Sequence, residues 1–161
     1  MNGETVTIQQ AVAMHQAGQW DRAEAAYRRI LDTDPANADA LHLSGVIALQ
    51  RGAFADAVTA IEQAVALRPQ QSVFHGNLGT ALQGLKRYDA AERHFRTALE
   101  HDARNVDARF NLGALHQEKG ALDAAVADFA AVIRMQPRMA KAYHRLGMIF
   151  RQQGHLKEAL R

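Results

Sequence analysis

The chain has no cysteine among its 161 residues. Disulfides, thiolate metal sites and cysteine nucleophiles are excluded, and any core must stand on packing alone. Proline is scarce, with three residues, and there is a single tryptophan. An excess of one charge is lacking too, since 19 basic residues face 17 acidic ones and the formal net charge is +2. That near balance argues against a nucleic-acid partner, whose phosphates call for dense basic surface. No apolar run approaches the roughly 18 residues of a membrane span. The opening MNGETVTIQQ carries no basic stretch followed by an apolar one. These absences set the expectation of a cytoplasmic protein that meets neither nucleic acid nor membrane. What is present suffices for one folded unit: 48% of residues are hydrophobic and 22% charged.

The few prolines are placed by a rule. Pro35 and Pro69 stand 34 residues apart and Pro137 two such periods further on, with Ala103 where the missing one would fall. Glycine repeats in two registers of the same period, Gly18, Gly52, Gly120 and Gly154 in one and Gly45, Gly79, Gly113 and Gly147 in the other. Alanine recurs at Ala23, Ala57, Ala91, Ala125 and Ala159. Large residues recur beside it at Trp20, Phe54, Tyr88, Leu122 and Leu156, then at Tyr27, Ile61, Phe95 and Phe129. A fixed period of this length marks a stack of supersecondary units.

Residues 38–71 show what one unit is. They read as two amphipathic helices split near Gly52 and stopped at Pro69, a helical hairpin. Gly52 suits the left-handed residue just past a helix, and proline cannot continue the second one. Gly45 and Ala57 are small where facing helices come closest, while Phe54 and Ile61 are expected to fill the space between neighbouring hairpins.

Small-residue, aromatic, alanine and proline positions at this period resemble the tetratricopeptide repeat (TPR) family. The resemblance spans residues 4–161 as one array, with repeats at 4–37, 38–71, 72–105, 106–139 and 140–161, the last truncated. It departs locally, with Lys86 for the turn glycine of the third repeat, Ala103 for its proline and Ala11 for the first helix glycine. The fold implied is all-α, a right-handed superhelical solenoid of antiparallel hairpins. Terminal repeats of such arrays need a polar outer face, so the helix over 140–153 is expected to keep an uncovered side and to offer self-association through the truncated last repeat.

Catalytic chemistry finds no foothold. The eight histidines, His15, His42, His75, His94, His101, His116, His144 and His155, form no HExxH pattern, and their scatter predicts single, half-packed helical side chains without a metal. The stretch GTALQGLK from Gly79 to Lys86 imitates a phosphate-binding loop, but its lysine comes one place late and no serine or threonine follows. Asp89, Glu92, Asp123 and Glu158 lie early in second helices, where they favour the helix dipole. Arg28, Arg29, Arg68 and Arg134 are expected near helix C-termini for the same reason. The reading is of a non-enzymatic bacterial scaffold without cofactor.

The family resemblance implies that first helices line a concave groove for a peptide or partner helix. It brings forward Asp39, His42, Asn77, Thr80, Gln83, Asp107, Asn111, Gln117, Lys141, His144, Arg145 and Arg151. Asn77 and Asn111, one period apart, are similar to the asparagine ladder of O-linked N-acetylglucosamine transferases, whose amides meet peptide backbone. Asn111, Lys141 and Arg145 also match three of the five positions of a carboxylate clamp in chaperone-adaptor domains, with Gly76 and Thr80 at the other two. The leading expectation is a protein-interaction module. The alternative is the substrate-recruiting or oligomerising part of a larger enzyme, such as a glycosyltransferase or sulfotransferase.

Overall fold

The computed structural model describes residues 6–154. Among them it forms nine α-helices and no strand: α1 (Ile8–Gln16), α2 (Trp20–Thr33), α3 (Ala38–Gln50), α4 (Phe54–Leu67), α5 (Ser72–Gly84), α6 (Tyr88–His101), α7 (Val106–Glu118), α8 (Leu122–Met135) and α9 (Ala140–Gln152). Consecutive helices pack as hairpins, α1 with α2, α3 with α4, α5 with α6 and α7 with α8. Leu156, Glu158, Ala159 and His155 lie outside the described residues, as does the second helix expected for the fifth repeat.

The turns inside the hairpins follow from backbone chemistry. Gly18, Gly52, Gly120 and Gly154 adopt φ between 71° and 77°. At Gly52 this lets the Ala53 amide donate back to the Ala48 carbonyl at 2.9 Å, closing the helix end. Lys86 takes the same left-handed conformation at φ 59°, so the missing glycine changes the strain of the turn but not its path. Proline proves dispensable at the other turn. α6 ends at the same period position as α4 and α8 although Ala103 stands where they have proline. There the Asp102 amide caps the Ala98 carbonyl at 2.9 Å, and Ser72 Oγ adds a second bond to it at 2.7 Å while accepting from Asn105 Nδ2 at 2.8 Å.

Close approach fixes the small residues. A Cβ on Gly45 would lie 2.5 Å from Ile61, and one on Gly79 2.7 Å from the Phe95 ring. Ala23, Ala57, Ala91 and Ala125 are fully buried. Two sequence expectations need correction. Ile61 fills its own hairpin against Gly45, whereas Phe54 does pack across to the next repeat, against Gly84. Arg28 and Arg29 stop short of the last turn of α2, which holds no basic residue, and Arg28 pairs with Glu24 instead. Arg68 caps α4 but is held by Asp39 at 2.9 Å, and Arg134 alone lies in a last turn as expected.

Charge also ties repeat to repeat. Arg51 reaches back to Asp21 and Glu24, and Lys119 makes the same reach to Asp89 and Glu92, at 3.1 and 2.8 Å. The hydrogen bond from Lys119 holds the Glu92 carboxyl below its ordinary range. Under these ties the core among the described residues falls into three clusters, the largest extending from Ala38 to Leu115. Among first helices, α3 touches α5, α5 touches α7 and α7 touches α9, while no comparable contacts join α2, α4, α6 and α8 to one another. In a curved stack the helices that touch their successors lie on the inside of the curve, so α1, α3, α5, α7 and α9 line the concave face.

Candidate peptide-binding face

Along that face the first helices are linked by side-chain rungs. His15 Nε2 lies 3.0 Å from Gln50 Oε1, bridging α1 and α3. Asn77 Nδ2 lies 2.8 Å from His42 Nε2, bridging α5 and α3. Asn111 Nδ2 donates to Thr80 Oγ1 at 3.1 Å, and Arg145 Nη1 to Gln117 Oε1 at 3.2 Å. Six of the sequence-derived groove residues are therefore joined pairwise across repeat boundaries. The rung between His15 and Gln50 was absent from that set, although the period places both on first helices.

The remaining candidates are dispersed. Gln83 is half-buried on α5, and His144 and Arg151 are exposed on α9. Among the described residues these three have no side-chain hydrogen bond to the row. Asp39 is engaged by Arg68, while Asp107 is exposed. Lys141 Nζ stands 4.8 Å from the centre of the Phe110 ring, a cation–π contact on the concave side of α7 and α9.

His42 departs most from an open groove residue. It is 7% exposed and its ring stacks on Phe74, centroids 4.3 Å apart and planes at 26°. Burial pushes its pKa down to about 4 against the opposing pull of Asp39, so the imidazole is neutral near pH 7. A neutral ring can offer Nε2 as an acceptor, which is what the Asn77 amide meets.

Other histidines overturn the expectation of isolated, half-packed side chains. His75, buried, has Nε2 2.8 Å from the Pro69 carbonyl and must donate there, which leaves its Nδ1 to accept from His94 Nδ1 at 3.0 Å. Burial, then the neighbouring His75 and Arg93, hold the His94 pKa below its ordinary value. His101 lies against His75 as well, ring centroids 5.7 Å apart. One period later the same two positions carry Arg109 and Asp128, paired at 3.4 Å, with His116 Nδ1 2.8 Å from the other Asp128 oxygen. Reading the period across positions as well as along them would have exposed these pairs. Arg109 and Asp128 line a crevice of about 470 Å³ between α6, α7 and α8, and Arg109 Nε is buried there without a partner. Among the described residues no group of three or more histidines and acids is arranged to hold a metal ion, and no helix is long and apolar enough to cross a membrane.

Comparison with known proteins places this geometry. The tetratricopeptide repeat model matches residues 9–72, 77–130 and 115–161. A TPR repeat-containing protein of Pseudomonas aeruginosa is 44% identical over 81 residues, covering 49% of this chain and 32% of that protein. A Caenorhabditis elegans protein O-mannosyl-transferase is 36% identical over 64 residues, 40% of this chain and 9% of the transferase. The chain thus spans about a third of the first relative and under a tenth of the second. Among solved structures, MamA superposes with a TM-score of 0.82 at 25% identity, over 93% of this chain and 88% of the other. YrrB, described as a TPR protein with an unusual peptide-binding site, gives 0.74 at 26% identity over 95% and 79%.

Proposed function

The chain belongs to the tetratricopeptide repeat family, and from that premise we propose that it is a protein-interaction module holding an extended peptide segment on its concave face. The observation that carries this reading is the row of side-chain rungs from His42 to Arg145. It sets amides at Asn77 and Asn111 and positive charge at Lys141 and Arg145 along one continuous surface. Amides that donate and accept suit a peptide backbone whatever its side chains, and the basic end suits an acidic group. The likeness to YrrB supports a peptide as the ligand class.

Selection of a random 12-residue peptide library against the protein tests the reading. The expected outcome is enrichment of binders that lose affinity when Asn77, Asn111, Lys141 and Arg145 are all replaced by alanine in a variant of unchanged melting temperature. Binders insensitive to that change would place recognition elsewhere.

A second reading keeps the groove but makes it the recruiting arm of a larger enzyme, and the matched segment of the O-mannosyl-transferase is what favours it. The native protein's mass in its source cell separates the two. A mass near 17.7 kDa fits a free-standing module, and one several times larger fits the enzyme arm.

A further inference from the structure

The partners of each rung decide where its protons sit, and so what the face has left to offer. Thr80 has a single hydroxyl proton, committed to the Gly76 carbonyl oxygen at 3.1 Å. Thr80 Oγ1 can then only accept from Asn111, so the Asn111 amide must turn an N–H to it and keeps Oδ1 outside that bond. Asn77 is held likewise, one of its two N–H groups turned to the lone pair of the buried, neutral His42 ring. At α9 the polarity reverses. Arg145 can only donate, and it occupies Gln117 Oε1, which leaves the two N–H groups of Gln117 to face a ligand. α9 adds Lys141 and Arg151 and contains no acid.

We propose that the concave face holds its amides in a fixed polarity, Asn77 and Asn111 presenting Oδ1 as an acceptor beside one remaining N–H, with donors at Gln117, Lys141 and Arg145. It therefore takes an extended segment with backbone N–H groups over α5 and α7 and an acidic group at α9. This rests on the peptide-binding reading above. Thr80 and His42 act as positioning residues, each orienting an amide that would otherwise flip freely.

The test has one arm that needs no ligand. In nitrogen-15 NMR spectra the side-chain amide protons of Asn111 should be widely separated in the wild type and should converge in Thr80→Val, which keeps the shape and removes the acceptor; Thr80→Ser should restore the separation. Unchanged Asn111 signals in Thr80→Val would overturn the positioning role whatever binds. The second arm uses the most enriched 12-residue peptide from the library. Thr80→Val is expected to weaken it about tenfold, the scale of one hydrogen bond, with Thr80→Ser close to wild type. Amide-to-ester replacement at the peptide positions over α5 and α7 should cost about as much, and neutralising its acidic group should cost nothing further in a Lys141→Ala, Arg145→Ala background. Binding within twofold of wild type in Thr80→Val, or indifference to every ester, overturns the polarity alone. A library that enriches nothing overturns the peptide-binding reading and the ligand half of this inference together, while the Asn111 signals still decide whether Thr80 sets the amide.

Discussion

His42 is the residue at which stability and recognition meet. Its pKa falls from 6.5 to about 4 on folding because burial disfavours the charged ring. The folded state therefore binds fewer protons than the unfolded one. Stability from this group is complete above pH 6.5 and is lost as pH falls towards 4, by about 3 kcal/mol in all. Replacing His42 with Phe keeps a ring on Phe74 and removes the titration. Urea unfolding at pH 7 and pH 4 should show an acid loss smaller by about that amount in the variant. An equal loss in both proteins would mean that the ring is already solvated. Lys86 gives the opposite kind of prediction. A side chain at φ 59° is strained, so Lys86→Gly should stabilise the third hairpin by about 0.5–1 kcal/mol in the same assay, the gain from left-handed freedom exceeding the added entropy of the unfolded chain. A loss would show that the Lys86 side chain makes a contact worth more than the strain.

Within one hairpin, helix spacing is set by what the smallest side chains allow. Ala57 is fully buried, and its backbone carbonyl would lie 3.3 Å from a Cβ on Gly45. Ala57→Leu should therefore overpack α3 against α4 and cost roughly 1–3 kcal/mol, read as a lowered melting temperature; no change would show that the helices part without strain. This element-level geometry was legible in the sequence because it depends on residue size at a fixed period. Glycine in two registers, alanine in one and large residues in two recur at that period, and the helix ends, the left-handed turns and the hairpin pairing follow from them. The concave site was legible only by position. The period says that His42 and Asn77 share a face, but not that Phe74 covers the first and the first then orients the second, since that depends on side-chain contacts between repeats. The pairs of His75 with His94 and Arg109 with Asp128 escaped for a related reason. Histidines spread along a sequence look solitary, and they meet only when a hairpin closes and lays the fourth residue of one helix against its partner.

Over the whole molecule, each repeat touches only its neighbours, and stability should be graded along the stack rather than shared equally. The gradient can be read from burial. α5 buries eight residues and belongs to the cluster from Ala38 to Leu115, whereas α1 buries only Ala11 and α9 only Ala142 and Ile149. On the described part of α9, Tyr143 and Met148 are 49% and 37% exposed. Native-state hydrogen exchange should accordingly be slowest in α5 and fastest in α1 and α9, with separate opening energies. One common protection factor from α1 to α9 would mean a single cooperative unit and would remove the stack picture of its energetics. The same measurement couples stability to function. A peptide whose acidic end engages Lys141 and Arg145 and whose backbone engages Asn77 and Asn111 ties one of the two least buried helices to the strongest. Its binding energy should then appear as protection gained mainly in α9, because α5 has little opening left to suppress. Protection gained equally everywhere would indicate that the peptide selects an already closed array, and protection confined to α1 would move the site to the other end.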